Sequence, residues 1–236
     1  MPLQPSDDCA APALERPETR LVLAISLDGR LAPAEGGAAQ LGGKGDRRVL
    51  DTALAWADAC LMGAGTLRAH QSTCLIRDRA LLQQRVDQGR SAQPTAVVVS
   101  RSDGFPLQWQ FFRQPLERWL LAPKGPAEGF DRWIPLGHSW PERLETLYAC
   151  GVRRLALLGG ASLAAELLQA DCVDALQLTL VPTLLGGPHT WLPVDPNPLP
   201  LSMLGAGAWS CDGLEDLGEG EIDAALPKAT SALVHP

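Results

Sequence analysis

Two short segments, Gly63-Ala64-Gly65-Thr66 and Gly159-Gly160-Ala161-Ser162-Leu163, each close an apolar run and open a stretch with helical spacing. A strand that ends in a glycine turn and continues as a helix is the first part of a β-α-β unit. Two of them in one chain point to an α/β architecture with a largely parallel sheet. Such turns also indicate where a ligand sits. Glycine has no Cβ, so backbone N–H groups can approach a phosphate closely, and the helix that follows presents its positive end there. The pair therefore predicts a nucleotide cleft.

The other elements follow from local pattern. Residues 20–26, 59–62, 95–99, 118–122, 153–158 and 173–181 are short apolar runs bounded by polar or glycine-containing segments, as buried strands require. Asp46 is the expected N-cap of a helix reaching about residue 56, with Val49, Leu50, Ala53, Leu54 and Ala57 at helical spacing. Further helices are expected over 78–89, 141–150 and 161–169. Glycine and proline in 182–188 break the alternation, 193–200 reads as an extended connection, and 201–204 and 208–211 are candidate strands. One domain over 19–222 is expected between a flexible tail, 1–18, and a loose tail, 223–236.

Composition narrows the function classes. A net charge of −7 disfavours nucleic acid as partner, because binding it needs a basic face that displaces counterions. No apolar run approaches the roughly 20 residues that cross a bilayer, so no membrane association and a cytoplasmic location are expected. The six cysteines form no C-x-x-C pair and the four histidines no H-E-x-x-H, so no metal site is expected.

Three groups of residues could carry chemistry. Gly159, Gly160, Ala161, Ser162 and Leu163 could hold a pyrophosphate on backbone amides, although this is not G-x-G-x-x-G and a tight turn alone would also use glycine. Ser100, Arg101 and Ser102 stand at the carboxyl end of a strand, where forked guanidinium donors suit the 2′-phosphate of NADP; an ordinary solvated turn is the other reading. Lys44, Arg47 and Arg48, with Arg77 beyond the first glycine turn, are candidates for an anionic substrate, or else a solvated basic face. Asp28, where the first strand turns, could equally cap its own turn.

Taken together, Ser26-Leu27-Asp28-Gly29-Arg30-Leu31-Ala32, Ala57 through Arg68 with Gly63-Ala64-Gly65-Thr66 at its centre, Leu158 through Leu163, and Pro182-Thr183-Leu184-Leu185-Gly186-Gly187 resemble the RibD C-terminal family of riboflavin biosynthesis. The resemblance implies a dihydrofolate-reductase-like α/β fold: a mostly parallel central sheet flanked by helices, with a C-terminal antiparallel portion. It implies a homodimer and NADPH bound between the two glycine turns, contacted by Gly63, Gly65, Thr66, Ser100 and the segment from Gly159 to Leu163. Asp28 is its candidate catalytic residue, and Arg77, Lys44 and Arg47 are candidates for the substrate.

The implied substrate is a small phosphorylated pyrimidine, 5-amino-6-(5-phosphoribosylamino)uracil, whose ribosyl group is reduced to ribityl. The family's zinc deaminase half is expected to be absent. Where the family has Glu-Gly-Gly this chain has Leu158-Gly159-Gly160, and where it has Asp-Asp-Pro this chain has His70-Gln71-Ser72. An arginine is replaced near Leu54 and a serine near Ala39. These departures leave two alternatives: a reductase of the same fold acting on a different carbonyl or imine, or a non-catalytic NADPH-binding homologue.

Overall fold

The computed structural model describes residues 15–37, 41–102, 104–192 and 199–229. Among the described residues nine strands form one sheet: β1 (Glu18–Ser26), β2 (Ala59–Gly63), β3 (Thr95–Val99), β4 (Arg118–Ala122), β5 (Arg132–Pro135), β6 (Arg154–Leu157), β7 (Ala175–Val181), β8 (Gly213–Gly218) and β9 (Glu221–Pro227). Their spatial order is β5-β4-β3-β2-β6-β1-β7-β9-β8. The pairs from β5 through to β7 are parallel, and β9 joins both β7 and β8 antiparallel.

The central parallel strands are apolar on both faces because both faces are covered. Leu61, Val97, Trp119 and Leu121 point to one core, whereas Cys60, Met62, Val98 and Leu120, alternating with them, point to the other. The first face packs under α4 (Trp140–Ala149) and α5 (Ala161–Gln169) through Leu144, Leu147 and Leu167. The second packs under α1 (Lys44–Trp56) and α2 (Ala64–His70) through Leu54 and Leu67, with Leu81 and Leu82 of α3 (Arg79–Asp87) half-buried against it.

The C-terminus departs from expectation. Residues 223–227, expected in a loose tail, are the body of β9, and Lys228 N–H still bonds Asp174 O at 2.7 Å. The reason is an inverted alternation: Glu221 and Asp223 are buried while Ile222 between them is exposed, so the strand's apolar pattern points the wrong way. Residues 230–236 lie outside the described residues, as do 1–14 of the expected N-terminal tail and 193–198 of the extended connection. Residues 201–203 form a short 3-10 turn, and Trp209 makes only an isolated bridge to Lys228, so neither candidate strand there forms.

Glu221 also replaces the expected cap of α1. The helix begins at Lys44 with Gly43 as N-cap and no capping side chain of its own. Instead the buried Glu221 carboxylate accepts from Gly43 N–H and from Asp46 N–H at 3.1 Å, tying the helix start to β9. Asp46 is thus held by a cap and does not supply one.

Burial pushes the neighbouring Asp223 carboxyl above its ordinary 3.8; Gln177 donates to Oδ2 at 3.1 Å, but Oδ1 has no partner. Ionising such a group opposes folding. The associated stability is complete below the unfolded-state value and is lost as pH rises through the higher folded-state value. Asp223→Asn is therefore expected to raise the melting temperature at pH 7 and to have no such benefit below about pH 3.8, which thermal melts across pH would show.

Candidate active site

The two glycine turns leave the carboxyl ends of adjacent parallel strands. β2 and β6 pair in register from Ala59↔Leu155 to Leu61↔Leu157, so the chain emerges from both at one level. Leu158 N–H donates to Leu61 O at 2.9 Å and Gly63 N–H to Gly159 O at 3.3 Å, joining the turns directly. Gly63 caps α2 and Gly160 caps α5, each without a capping side chain. The position suits a ligand, because α/β sheets bind outside the carboxyl ends where the strand order reverses, here between β2 and β1.

Glycine is favoured on the second turn for two separate reasons. Gly159 sits at φ +84°, in the left-handed region. A Cβ on Gly160 would stand 3.0 Å from Thr66 Oγ1 and narrow the space between the turns.

Three linked chambers run along this cleft. The first, about 480 Å³, is lined by Ser100, Arg101, Arg68 and Arg143 together with Gly65 and Ser162. Ser100 Oγ accepts from Ser102 N–H at 3.1 Å, and Arg68 donates to Ser102 Oγ at 2.9 Å with its guanidinium 5.3 Å from the Phe105 ring. Arg143 Nε is buried without a partner. The second chamber, about 420 Å³, lies between the turns against Leu23, Thr66, Leu158, Gly159 and Gly160. It shares Gly63, Gly65, Ser162 and Leu163 with the first.

The third chamber is basic. Arg47 and Arg77 line a cavity of about 470 Å³ that meets the second at Thr66, His70 and Leu158. An outer cavity of about 910 Å³ adds Lys44 beside the same two arginines. Asp51, only 6% exposed, organises this end: Oδ1 accepts from Arg47 at 2.6 Å, and Oδ2 accepts from the backbone N–H groups of Arg77 and Asp78 at 3.2 Å each. Asp78 in turn caps α3 by accepting from Ala80 N–H at 2.7 Å.

Most of the residues singled out by sequence thus meet along one cleft: Gly63, Gly65, Thr66, Ser100, Arg101, Gly159 to Leu163, and at the far end Lys44, Arg47 and Arg77. Asp28 does not join them and borders none of these cavities. Its carboxylate accepts from Ser26 Oγ at 2.5 Å, Leu185 N–H at 3.1 Å and Gly186 N–H at 2.8 Å. Those bonds, Ser26 first, hold its carboxyl at about 2. Those bonds pin the end of β1 to the segment after β7.

Arg68 and Arg143 also line the cleft, and Asp51 braces its basic end, without having stood out in the sequence. Arg68 was within reach of sequence reasoning, two residues past Thr66 on the helix that opens at the first turn. Arg143 comes from α4, distant in sequence, and Asp51 sits on the inner face of α1, so neither leaves a local signal.

Comparison with known proteins agrees with this architecture. The chain is 26% identical over 182 residues to the 2,5-diamino-6-ribosylamino-4(3H)-pyrimidinone 5′-phosphate reductase of Archaeoglobus fulgidus, covering 73% of this chain and 83% of that protein. It is 29% identical over 203 residues to riboflavin biosynthesis protein RibD of Corynebacterium ammoniagenes, covering 83% of this chain and 51% of that protein, so it spans about half the length of such relatives. In structure it resembles Acinetobacter baumannii RibD with a TM-score of 0.75 at 22% identity, over 91% of this chain and 58% of that one. Dihydrofolate reductase of Enterococcus faecalis shares the fold with a TM-score of 0.53 at 14% identity, over 90% and 97% of the two chains. The model of the RibD C-terminal domain matches residues 17–220, and with the strand order and paired glycine turns described above, the chain belongs to the RibD C-terminal domain family.

Proposed function

We propose that this protein is an NADPH-dependent reductase of riboflavin biosynthesis that converts the ribosyl group of a phosphorylated pyrimidine ribosylamine, 5-amino-6-(5-phosphoribosylamino)uracil, to ribityl. The observation that carries the reading is the continuity of the cleft. It runs from an arginine-rich chamber, past the joined glycine turns, into a second basic chamber. A dinucleotide and a phosphorylated substrate can therefore lie end to end.

The residues present fit the cofactor. The gap opposite Thr66 that a Gly160 side chain would fill suits the pyrophosphate, with the first-turn amides of α5 as donors. Ser100, Arg101, Arg68 and the unpartnered Nε of Arg143 suit the adenosine end and its 2′-phosphate. NADPH, when bound, supplies the hydride. The protein contributes position and exclusion of water: Leu23 and Leu158 wall the middle chamber, while Arg47, Arg77 and Lys44 hold the substrate phosphate.

Exposed Leu214 and Ile222 on the β8/β9 edge support the homodimer that the family resemblance implies. The described cysteines are unbridged, in keeping with a reducing cytoplasm. Leu158 favours a second reading. An apolar side chain stands where the middle and basic chambers meet, which suits a reductase of the same fold on a different carbonyl or imine.

The test follows NADPH oxidation at 340 nm with the pyrimidine ribosylamine and with a panel of other carbonyls and imines. Turnover of the first supports the proposal, and turnover of another substrate alone supports the second reading. Binding of NADPH with no turnover would identify a non-catalytic homologue. Arg68→Ala is expected to raise the Kd for NADPH about tenfold and to leave NADH nearly unchanged, as loss of one charge-assisted phosphate contact predicts. Equal effects on the two cofactors would remove Arg68 from the 2′-phosphate.

A further inference from the structure

Reduction of an imine needs a proton as well as a hydride, and the middle chamber offers few donors for it. Two imidazoles border it, His70 and His189. His189 meets only that chamber, on the side of Gly36 and Gly37. His70 borders the middle chamber, the inner basic cavity and the outer one, and among the described residues lining those three cavities no other is shared by all of them.

The fold holds His70 at this junction. It is the last residue of α2, and the chain turns sharply after it through Gln71, at φ +54°, whose N–H closes on Leu67 O at 2.7 Å. Ser72 Oγ donates to His70 O at 3.2 Å, so the backbone on both sides is tied down. The imidazole itself has no recorded hydrogen-bond partner and is exposed to the cleft and to solvent.

We infer that His70 is the catalytic proton donor of this reductase, delivering a ring N–H proton to the imine nitrogen of the opened ribosylamine. The assignment rests on the reductase reading above. In the step, the C1=N π bond breaks, C1 receives the hydride pair from the reduced nicotinamide, and the nitrogen receives the proton. The products are the secondary amine and oxidised nicotinamide, with a neutral imidazole that regains its proton from solvent. A donor at the junction of the middle and basic chambers that is also open to solvent can both deliver a proton and be recharged.

His70→Gln is expected to lower kcat about 100-fold while the substrate KM moves less than about threefold. Imidazole added to His70→Ala is expected to restore turnover in proportion to its concentration. In protein without cofactor, the His70 ring resonance, identified by its loss in His70→Gln, is expected to shift on addition of 5-amino-6-(5-phosphoribitylamino)uracil.

A wild-type protein that does not oxidise NADPH with this substrate removes the riboflavin-type reductase reading, and the assignment with it. An active wild type whose His70→Gln variant keeps kcat within about threefold removes the assignment alone. So does a kcat loss that imidazole cannot rescue, or a ring resonance that the product leaves unmoved.

Discussion

Gly160→Val is expected to weaken NADPH binding by about 100-fold, equivalent to about 3 kcal/mol. Its Cβ would stand 3.0 Å from Thr66 Oγ1, and two further methyl groups would occupy the gap between the glycine turns. Thr66 is half-buried at the start of a short helix, so its hydroxyl can give way to a single Cβ but not to the full valine side chain. The loss would fall on the pyrophosphate, where α5 amides are the donors. Calorimetry measures the Kd, and an unchanged far-UV circular dichroism spectrum shows that the fold survives. Gly160→Ala, which adds only the Cβ, should lie between the two. A Kd unaltered by valine would mean that the dinucleotide does not pass between the turns.

The second large effect is expected at the opposite end of the cleft. Asp51→Ala removes the carboxylate acceptor for Arg47 and the acceptor for two backbone N–H groups, those of Arg77 and Asp78. Arg47 would keep only its bond to Leu75 O, and its buried Nε has no partner among the described residues. Breaking a largely buried pair of this kind costs about 3 kcal/mol, which in a domain of this size lowers the melting temperature by roughly 6–12 °C. Both arginines of the basic chamber would lose their positions together. A fall of about 100-fold in kcat/KM, carried by KM for the phosphorylated substrate, is expected while NADPH affinity holds. Asp51→Asn retains one acceptor oxygen and should lose less. Selective loss of NADPH affinity would show that this end of the cleft holds the cofactor instead.

How much of this was legible in the sequence depends on whether a signal was local. Thr95–Val99, Arg118–Ala122 and Ala161–Gln169 form as their patterns require, because a strand covered on both faces is a continuous apolar run and a helix on the sheet shows one apolar stripe. The adjacency of the glycine turns is a property of strand order, yet each turn was readable from its own residues. β9 was not, because Glu221 and Asp223 face inward to serve α1 and Gln177. β8 is a polar edge strand with one buried side chain, Leu217, and β5 is only four residues long with one buried, Ile134. Neither gives a period to read.

The site divides along the same line. Residues that contact the cleft through backbone or turn geometry, such as Gly159, Gly160 and Ser100, announce themselves by type and position. Lys44, Arg47 and Arg77 were visible as charges, but Arg47 and the backbone at Arg77 are held together by Asp51, which looks like any other acid on a helix. Asp28 stands apart from the cavities that gather the other motif residues, and its carboxylate accepts from Ser26, Leu185 and Gly186.

The most direct measurement is a crystal structure of the protein with NADP bound. The account predicts the pyrophosphate against Gly160 to Leu163, the 2′-phosphate beside Arg68 and Arg101, and the nicotinamide in the chamber of Thr66 and Leu158, facing His70 and the basic end. A dinucleotide seated elsewhere, or one whose nicotinamide end points toward Ser100 and away from Arg47 and Arg77, would contradict it.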